Sequence, residues 1–468
     1  MGVDMKKYIN VLDYEDYNKL NSSMIQNAIN ACENGVVFFP KRTYVLSTIF
    51  LKSNITIIFE QGTKILGSLN FDDYERDEQF DNQMYQDASH TFFHSSMFAG
   101  INVENVKIIG KATIDMRSIW DEKNVRNMAH RGPKCFAFKN AKNVEIRDLT
   151  IINATDIAVY FAGSENIKCN SLKLRVHIDG ITYDNCKNSV ISNCNLVTGD
   201  DGIVFKSTYN LNKLDICRNI EVLNNKIKSR CNAIKFGTET IGGFYNFQIS
   251  DSYIYDTRIA GIAIESVDGA HINNIIIDRT RMVNVNCPVF IHLGNRLRGP
   301  ANLKIGSIEN VVISNLTAKG PYKAYKTIAW NYNSYKMHDT HQLPWKFGKA
   351  ESIDETNSNM NKKSCWQMTS NICGLKENHL KNILLKNIEM VLDGGYQDII
   401  KDALDDCGGY PECYVYGRFL PAKGIFFRYV DGLRMIHCSV KTLKKDFRKE
   451  FIFIDCKQHF EKTNLPIK

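Results

Sequence analysis

The sequence lacks two features that would place it with a membrane or a nucleic acid. No stretch approaches the ~18–20 consecutive apolar residues that a membrane-spanning helix needs. No extended run of basic residues concentrates the formal net charge of +8, and dispersed positive charge is an ordinary property of a solvated surface. We therefore expect neither a membrane nor a nucleic acid among the partners of this protein.

Paired cysteines are also missing. The 14 cysteines occur singly, and none shows the CxxC spacing of a zinc site or a thioredoxin-like motif. A disulfide framework is typical of short secreted chains, and this chain has 468 residues. The opening residues Met1–Lys7 are not followed by the apolar core of a signal peptide. We expect no metal ion, no cofactor and a cytoplasmic location, although a chain whose signal peptide had been removed would look the same.

One amphipathic helix is predicted over residues 21–33, where Asn21 or Ser22 can cap a segment with Met24, Ile25 and Ala28 at helical spacing. After it, short β-branched and aromatic runs continue for most of the chain. A helix followed by so many short strands predicts an all-β architecture with a single helical cap at its N-terminal end.

An asparagine followed by alternating apolar residues recurs along the chain. Asparagine suits the tight turn before a strand because it tolerates the left-handed conformation. The spacing is 23 and then 22 residues from Asn143 to Asn166 to Asn188, and it lengthens by insertion further on, as in a solenoid. The repeated asparagines are Asn54, Asn105, Asn143, Asn166, Asn188, Asn219, Asn246, Asn274, Asn310 and Asn382.

The repeat favours a right-handed parallel β-helix that forms a single domain over residues 1–468, with the helix at 21–33 capping its open edge. Antiparallel hairpins would need frequent two-residue turns such as Asn-Gly between the runs, and these are scarce. A series of unrelated β-domains is the other alternative.

Three aspartates stand about one repeat apart. Asp179 precedes Asp200 by 21 residues, and Asp201 follows directly. The sequence Asp-Gly-Ile occurs at both places, which indicates that the two segments occupy the same position in successive rungs. Clustered carboxylates raise each other's pKa, an arrangement that suits general acid–base chemistry. Two alternatives stay open: an Asp-Gly turn with only a structural role, and a calcium site.

At these residues the chain resembles family 28 of the glycoside hydrolases, the polygalacturonase-like, pectin-degrading family of the pectin lyase-like β-helix fold. The family's Asn-Thr-Asp-Gly corresponds to His177–Gly180 and its Asp-Asp motif to Gly199–Gly202. The N-terminal part, from Ile25–Asn30 through Val37–Tyr44 to Gly67–Tyr74, is similar to the opening of bacterial members.

The resemblance implies that Asp200 is the general acid and that Asp179 with Asp201 activates the attacking water. The anomeric configuration is then inverted, which calls for acid and base carboxyls roughly 6.5–9.5 Å apart. The implied substrate is a pectin-type or related polysaccharide or oligosaccharide.

Two further family motifs are replaced. Asn232 falls where the family's Gly-His-Gly carries its histidine, and Ala263–Glu265 replaces the Arg-Ile-Lys that grips a substrate carboxylate. Arginine binds a carboxylate through two hydrogen bonds, whereas a glutamate repels it. A uronic acid at the cleaved position would therefore need another cation, while Glu265 suits the hydroxyls of a neutral sugar. The expected substrate-binding residues are His177, Asn232, Lys235, Glu239, Glu265, Arg296 and Arg131.

Some of these residues also have a purely structural interpretation. Lys235 and Glu265 can form a pair that only joins adjacent rungs. His177, placed on the same strand face as Asp179, can tune the pKa of that carboxyl, contact sugar, or be a satisfied structural histidine.

Residues 321–377 are predicted to form a long aromatic loop inserted between rungs, which closes one end of a cleft or mediates a homo-oligomer contact. Its aromatic and histidine residues are Tyr322, Tyr325, Trp330, Tyr332, Tyr335, His338, His341, Trp345 and Trp366. Asp405–Tyr414 is a second excursion, after which the strands resume at Gly424.

Two other classes of function fit the same fold. A polysaccharide lyase would need calcium and a basic residue such as Lys235 near the acidic cluster. A carbohydrate-binding β-helix without catalysis would bind glycan without changing it. Both remain alternatives to the hydrolase at this point.

Overall fold

A computed structural model of the chain describes residues 7–15, 18, 20–75, 85–86, 88–90, 95–118, 131–322, 367–396, 403, 411–417 and 420–461. The chain divides into two units, Met1–Asn225 and Lys226–Lys468. We call them unit 1 and unit 2. The prediction of a single domain over residues 1–468 stays a prediction.

Unit 1 is built from short parallel strands, three to a turn of the coil. Its described strands are Lys7–Asn10 (β1), Gly35–Phe39 (β2), Thr43–Leu46 (β3), Ile49–Phe50 (β4), Ile55–Phe59 (β5), Lys64–Gly67 (β6), Ser96–Ile101 (β7), Glu104–Gly110 (β8), Thr113–Asp115 (β9), Lys134–Lys139 (β10), Lys142–Arg147 (β11), Thr150–Ile152 (β12), Val159–Ala162 (β13), Glu165–Asn170 (β14), Lys173–Val176 (β15), Ile181–Asp184 (β16), Lys187–Ser192 (β17), Asn195–Thr198 (β18), Ile203–Ser207 (β19) and Cys217–Leu223 (β20). Short 3-10 helices cover Val11–Tyr14, Phe71–Asp73 and Ala88–His90.

From β2 onward every third strand of unit 1 pairs in parallel, which gives three sheets, and β1 pairs with β2. One contains β4, β7, β10, β13, β16 and β19, and it carries the candidate site. In this sheet Phe161 pairs with Phe138 and with Tyr183 on either side, and the three rings are fully buried. Phe138 and Phe161 stack with ring centroids 4.7 Å apart. Stacked aromatic residues therefore fill the interior behind the site.

The predicted cap is the helix α1, Ser22–Ala31, slightly shorter than residues 21–33. Its face of Met24, Ile25, Ala28 and Ile29 is fully buried, as the helical spacing predicted. Asn21 is the N-cap residue, but its side chain makes no capping bond and accepts from the Val45 amide instead, at 2.9 Å. The side chain thus joins the helix to β3.

Unit 2 has fewer and longer strands, again all parallel where they pair in the coil. Its described strands are Lys226–Ser229 (β21), Ile234–Thr240 (β22), Gly243–Ser250 (β23), Tyr253–Ser266 (β24), His271–Asp278 (β25), Arg281–Leu293 (β26), Ser307–Lys319 (β27), Ser370–Cys373 (β28), Leu380–Gly394 (β29), Ala422–Lys444 (β30) and Lys449–Glu461 (β31). The resumption of strands near Gly424 is confirmed by β30 and β31.

The predicted loop at 321–377 is wrong at its C-terminal end. Strand β28, Ser370–Cys373, pairs with β26 on one side and β30 on the other, so the coil resumes before Glu377. The strand escaped prediction because Ile372 is the one large apolar residue it places in the core. Most of the aromatic residues of the loop, from Tyr325 to Trp366, lie outside the described residues.

All ten repeated asparagines have positive φ, between 51° and 62°. Their side chains also bond to one another between adjacent rungs. For example, Asn105 donates to Asn54 at 2.8 Å and Asn382 donates to Asn310 at 3.0 Å. The expected left-handed conformation is confirmed, and with it the parallel repeat, but only Asn54 precedes its strand and the other nine asparagines lie within theirs. Among the described residues no helix has the length and apolar character that crossing a membrane requires.

Candidate active site

The three aspartates lie in two stacked turns of unit 1. Asp179 lies in the turn from β15 to β16, and Asp200 and Asp201 lie in the turn from β18 to β19. Ile181 pairs with Ile203, so the rung is 22 residues long and Asp201, not Asp200, stands directly above Asp179. The Asp201 amide donates to Asp179 Oδ1 at 3.1 Å. The rung is therefore one residue longer than the 21 residues expected from the spacing of Asp179 and Asp200.

Two glycines allow the turns to approach this closely. A Cβ on Gly199 would lie 2.0 Å from the carbonyl oxygen of His177, and one on Gly180 would lie 2.5 Å from that of Gly202. Side chains of any size would push the two turns apart and separate the aspartates. The Asp-Gly pairs therefore form turns, and these turns also bring the three aspartates together in one cluster.

The three carboxyls differ in burial. Asp179 and Asp201 are each 7% exposed, and Asp200 is half-buried. Asp200 and Asp201 offer oxygens within 4.8 Å of each other. Burial raises the pKa of Asp179 well above its usual value, and the neighbouring charges of Asp200 and Asp201 raise it further.

Two cations oppose that rise, since Lys206 and Arg131 lower the pKa of Asp179. Arg131 is 7% exposed and donates to Ser89 Oγ at 3.1 Å. It also lies 3.7 Å from Asp156, a buried carboxylate that binds the buried Lys134 at 3.1 Å. Arg131 is thus near the three aspartates, as the sequence suggested, but its ion-pair partner is Asp156 of the protein itself.

Asp184 is a buried residue of the same sheet that the sequence interpretation missed. Its carboxylate accepts from the Thr208 amide at 3.0 Å, from the Thr208 hydroxyl at 2.7 Å and from Asn210 at 2.9 Å. Tyr160 OH lies 3.1 Å from the same carboxylate. Burial raises the pKa of Asp184 to about 6, against the opposing effect of these donors and of Lys206. The signal was available, because Lys206 lies one rung of 22 residues after Asp184.

His177 is 3% exposed, and its Nε2 lies 2.9 Å from Ser118 Oγ. It sits in the turn with Asp179 rather than on a strand, so the expectation of a shared strand face is wrong. The geometry places a buried, hydrogen-bonded histidine in the same turn as Asp179.

In unit 2 the structure brings Asn232, Lys235 and Glu265 together, and a segment distant in sequence meets them. Glu412 Oε1 lies 2.7 Å from Lys235 Nζ, and both Glu412 oxygens lie 3.3 Å from Asn232 Nδ2. Glu265 is further from Lys235, at 3.7 Å. The expected Lys235–Glu265 pair exists, but Glu412 is the closer partner, and all four residues are at most 2% exposed.

Glu412 belongs to the short segment Pro411–Gly417, which packs on one face of the β22–β24–β26–β28–β30 sheet. Cys413 lies in an apolar cluster with Ala263 and Phe290, and Tyr416 OH lies 2.6 Å from His292 Nδ1. The sequence marked this region only as an excursion, since nothing in the repeat relates it to Lys235.

The remaining expected substrate-binding residues of unit 2 are also paired. Arg296 contacts both oxygens of Asp268, at 2.8 Å and 2.5 Å, and donates to the Thr238 carbonyl at 2.8 Å. Glu239 accepts from Arg298 at 2.5 Å. Asp268 is fully buried, so it holds Arg296 firmly.

Comparison with known proteins identifies the relatives of this chain. Residues 36–373 match the family model described as Glycosyl hydrolases family 28. The exo-poly-alpha-D-galacturonosidase of Dickeya chrysanthemi is 24% identical over 337 residues, covering 60% of this chain and 56% of that protein. The endo-polygalacturonase of Pectobacterium carotovorum subsp. carotovorum is 23% identical over 301 residues, covering 58% and 71%. The chain thus spans little more than half the length of the Dickeya protein.

Solved structures show the same fold. The family 28 exopolygalacturonase of Yersinia enterocolitica has a TM-score of 0.64 at 17% identity, covering 99% of this chain and 79% of that one. The hyperthermoactive exopolygalacturonase of Thermotoga maritima has a TM-score of 0.62 at 19% identity, covering 83% and 87%. Together with the parallel pairing in each unit, this confirms the right-handed parallel β-helix.

Proposed function

The chain belongs to family 28 of the glycosyl hydrolases, and on this premise we propose that it is an inverting glycosidase acting on a neutral sugar of a pectin-type or related glycan. The observation that carries the reaction is the stack of Asp201 on Asp179, with Asp200 beside it in the same turn. Three carboxyls so close cannot all be ionised at low cost, so the cluster as a unit retains a proton.

The burial of the three side chains supports different roles for them. Asp200 is the most exposed and is the group that a glycosidic oxygen can reach, as a general acid requires. Asp179 and Asp201 are nearly buried and are joined through the Asp201 amide, so they can hold one water between them and accept its proton. That role needs an ionised Asp179; burial and the charges of Asp200 and Asp201 raise the pKa of Asp179 well above its usual value, and Lys206 and Arg131 oppose that rise.

The pairing of the cations supports a neutral sugar. The sequence offers three cations that could bind a substrate carboxylate in place of the missing Arg-Ile-Lys motif. Each of them has a carboxylate of the protein itself beside it: Lys235 has Glu412, Arg296 has Asp268, and Arg131 has Asp156. A uronic acid would have to displace one of these carboxylates or share its cation. The hydroxyls of a neutral sugar carry no such cost, since they bring no second carboxylate to these cations.

The test is a panel of homogalacturonan, rhamnogalacturonan and neutral pectic side-chain oligosaccharides, with anomer-resolved NMR of the products. We expect turnover of a neutral-sugar linkage and a product of inverted configuration. Faster cleavage of homogalacturonan than of every neutral-sugar substrate would contradict the neutral sugar, and retention would contradict the mechanism. Loss of activity in a chelator, with an unsaturated product, would show a lyase instead.

The role of Asp200 is tested by Asp200→Asn, with the exposed Asp13→Asn as a matched control. We expect kcat to fall about 10²–10⁴-fold with glycan binding retained, because general acid catalysis contributes that much, and we expect no change for the control. Wild-type turnover by Asp200→Asn would remove Asp200 from the mechanism. Binding without turnover by the wild-type protein itself would favour a non-catalytic carbohydrate-binding β-helix.

A further inference from the structure

Two stacked tyrosines lie on an outer face of unit 2. Tyr253 and Tyr255 are two residues apart on β24, so their side chains are on the same side of the strand. Ile254 between them is fully buried in the core, whereas both tyrosines are half-buried. The two rings are parallel within 6°, and their centroids are 5.4 Å apart. The pair therefore stands on the surface of the coil and not in its interior.

Two cations lie over these rings. Lys226 on β21 and Arg281 on β26 pair in register with Tyr253 from its two sides. Lys226 Nζ lies 5.8 Å from the centroid of the Tyr253 ring and 5.0 Å from that of Tyr255. Arg281 Cζ lies 5.5 Å from the Tyr253 centroid. Cation–π attraction at these distances holds both charges in place. We call Lys226, Tyr253, Tyr255 and Arg281 the tyrosine–cation patch.

The two cations of the patch are exposed. Within the described part of the chain, neither Lys226 nor Arg281 has a carboxylate at ion-pair distance. A lysine on the same strand behaves differently, since Lys228 lies 3.1 Å from Asp256. The charges of Lys226 and Arg281 are therefore available to an anionic ligand without displacement of a carboxylate of the protein.

The spacing of the cations suits a polymer that carries many carboxylates. Strands β21, β24 and β26 are neighbours in one sheet, and adjacent strands are about 4.8 Å apart, so Lys226 and Arg281 are about 10 Å apart along the sheet. A chain of repeated carboxylates can contact both cations at once, and two linked contacts bind more tightly than one. The guanidinium group of Arg281 can also bind a carboxylate through two hydrogen bonds.

The arrangement of the rings favours such a polymer over a single-stranded nucleic acid. Proteins that bind single strands stack successive bases on aromatic faces. Here the rings are stacked on each other, and cations lie over both of them. The patch therefore offers positioned charge to a ligand and not an open stacking surface, and charge is what a carboxylate recognises.

We propose that the tyrosine–cation patch is a second glycan-binding site, which holds a polyuronate chain through Lys226 and Arg281. The choice of polymer rests on the function proposed above, since the backbone of a pectin-type glycan carries uronic acids. The cleaved neutral sugar and the bound backbone are then different parts of one glycan. The tyrosines position the two cations before the ligand arrives, which lowers the entropic cost of binding. A purely structural patch would stabilise the coil and leave glycan binding unchanged.

Binding is measured by affinity electrophoresis and calorimetry with polygalacturonate, and with a neutral galactan as the comparison polymer. Every protein in the test carries Asp200→Asn, so that the polymer stays intact. The test variant combines Lys226→Gln with Arg281→Gln. The matched control combines Lys381→Gln with Lys386→Gln, which removes two exposed charges of β29 outside the patch. The two variants therefore have the same net charge.

The test variant should bind polygalacturonate about tenfold more weakly than the control, as expected on loss of two surface ion pairs. Tyr253→Leu should weaken binding by a smaller factor, because the cations remain but lose the ring that positions them. Added salt should weaken the binding of the control, since exposed charges are screened. The neutral galactan should not distinguish the two variants.

Equal binding of polygalacturonate by the two double variants would overturn the proposal, as would an equal loss of binding to the neutral galactan. Tighter binding of single-stranded DNA than of polygalacturonate, lost in the test variant, would show a nucleic-acid site instead. If the test variant does not fold, Arg281→Gln is compared with Lys381→Gln, and equal binding by these two overturns the proposal.

The binding result does not depend on turnover. A wild-type protein that cleaves no glycan would refute the hydrolysis proposed above, while weaker binding by the test variant would still identify the patch as a polyuronate site. Conversely, turnover of a neutral-sugar linkage together with equal binding by the two double variants would refute the patch alone.

Discussion

Replacing Lys235 with methionine should destabilise unit 2 more than removing the charge of Glu412, the nearer of its two carboxylate partners. Lys235 lies 2.7 Å from Glu412 and 3.7 Å from Glu265, and all three side chains are almost fully buried. Coulomb's law at an effective dielectric constant of about 20 gives ~6 kcal/mol of attraction for the shorter distance and ~4.5 kcal/mol for the longer. Desolvation costs several kcal/mol per ion, so the net value of the cluster is smaller.

The two possible truncations differ in what they leave behind. Lys235→Met leaves two buried carboxylates with no ammonium group between them, and we expect a loss of about 3–5 kcal/mol in the free energy of unfolding. Glu412→Gln leaves Lys235 with Glu265 and keeps an acceptor for Asn232, so we expect about 1–3 kcal/mol. The ranking of the two variants is a stronger test than either value.

Urea denaturation followed by circular dichroism gives both numbers. The matched control is Lys381→Met in the same unit, since Lys381 lies 3.3 Å from Glu309 but is 58% exposed. An exposed pair contributes about 0–1 kcal/mol, and the control should change stability by no more than that. If Lys235→Met costs no more than Lys381→Met, or less than Glu412→Gln, the assignment of a buried charge cluster is wrong.

Two further predictions concern unit 1. Gly199→Ala should cost about 2–3 kcal/mol and lower turnover, because its Cβ would overlap the His177 carbonyl; a thermal denaturation midpoint equal to that of the wild type would contradict this. Asp184 has its pKa raised to about 6 by burial, above its unfolded value, so its contribution to stability is present at low pH and is lost as the pH rises from about 4 through 6. The stability of the wild type relative to Asp184→Asn should thus fall by up to ~3 kcal/mol between pH 4 and pH 7, and parallel stability curves for the two proteins would refute the raised pKa.

The repeat, the asparagine turns and the three aspartates could be predicted from the sequence because each depends on short-range chemistry. An asparagine in the left-handed region is a local preference, and ten repetitions of it define a period. The period then predicts which residues are stacked. Read at 22 residues, it also relates Asp184 to Lys206, and at 28 residues it relates Asp268 to Arg296. These pairs were available from the sequence and were missed.

Only the tertiary structure decided which carboxylate pairs with Lys235 and in which direction the pKa of Asp179 is shifted. Glu412 reaches Lys235 across 177 residues from a segment outside the repeat, so no periodicity connects them. The pKa of Asp179 depends on how much water its neighbours exclude and on the charges around it, including two cations from other segments of the chain, and both are properties of the packed coil. The sequence therefore determined which carboxyls meet, through the period of its turns. Packing determined their charge and the partners of the cations around them, because burial and long-range contacts exist only after folding.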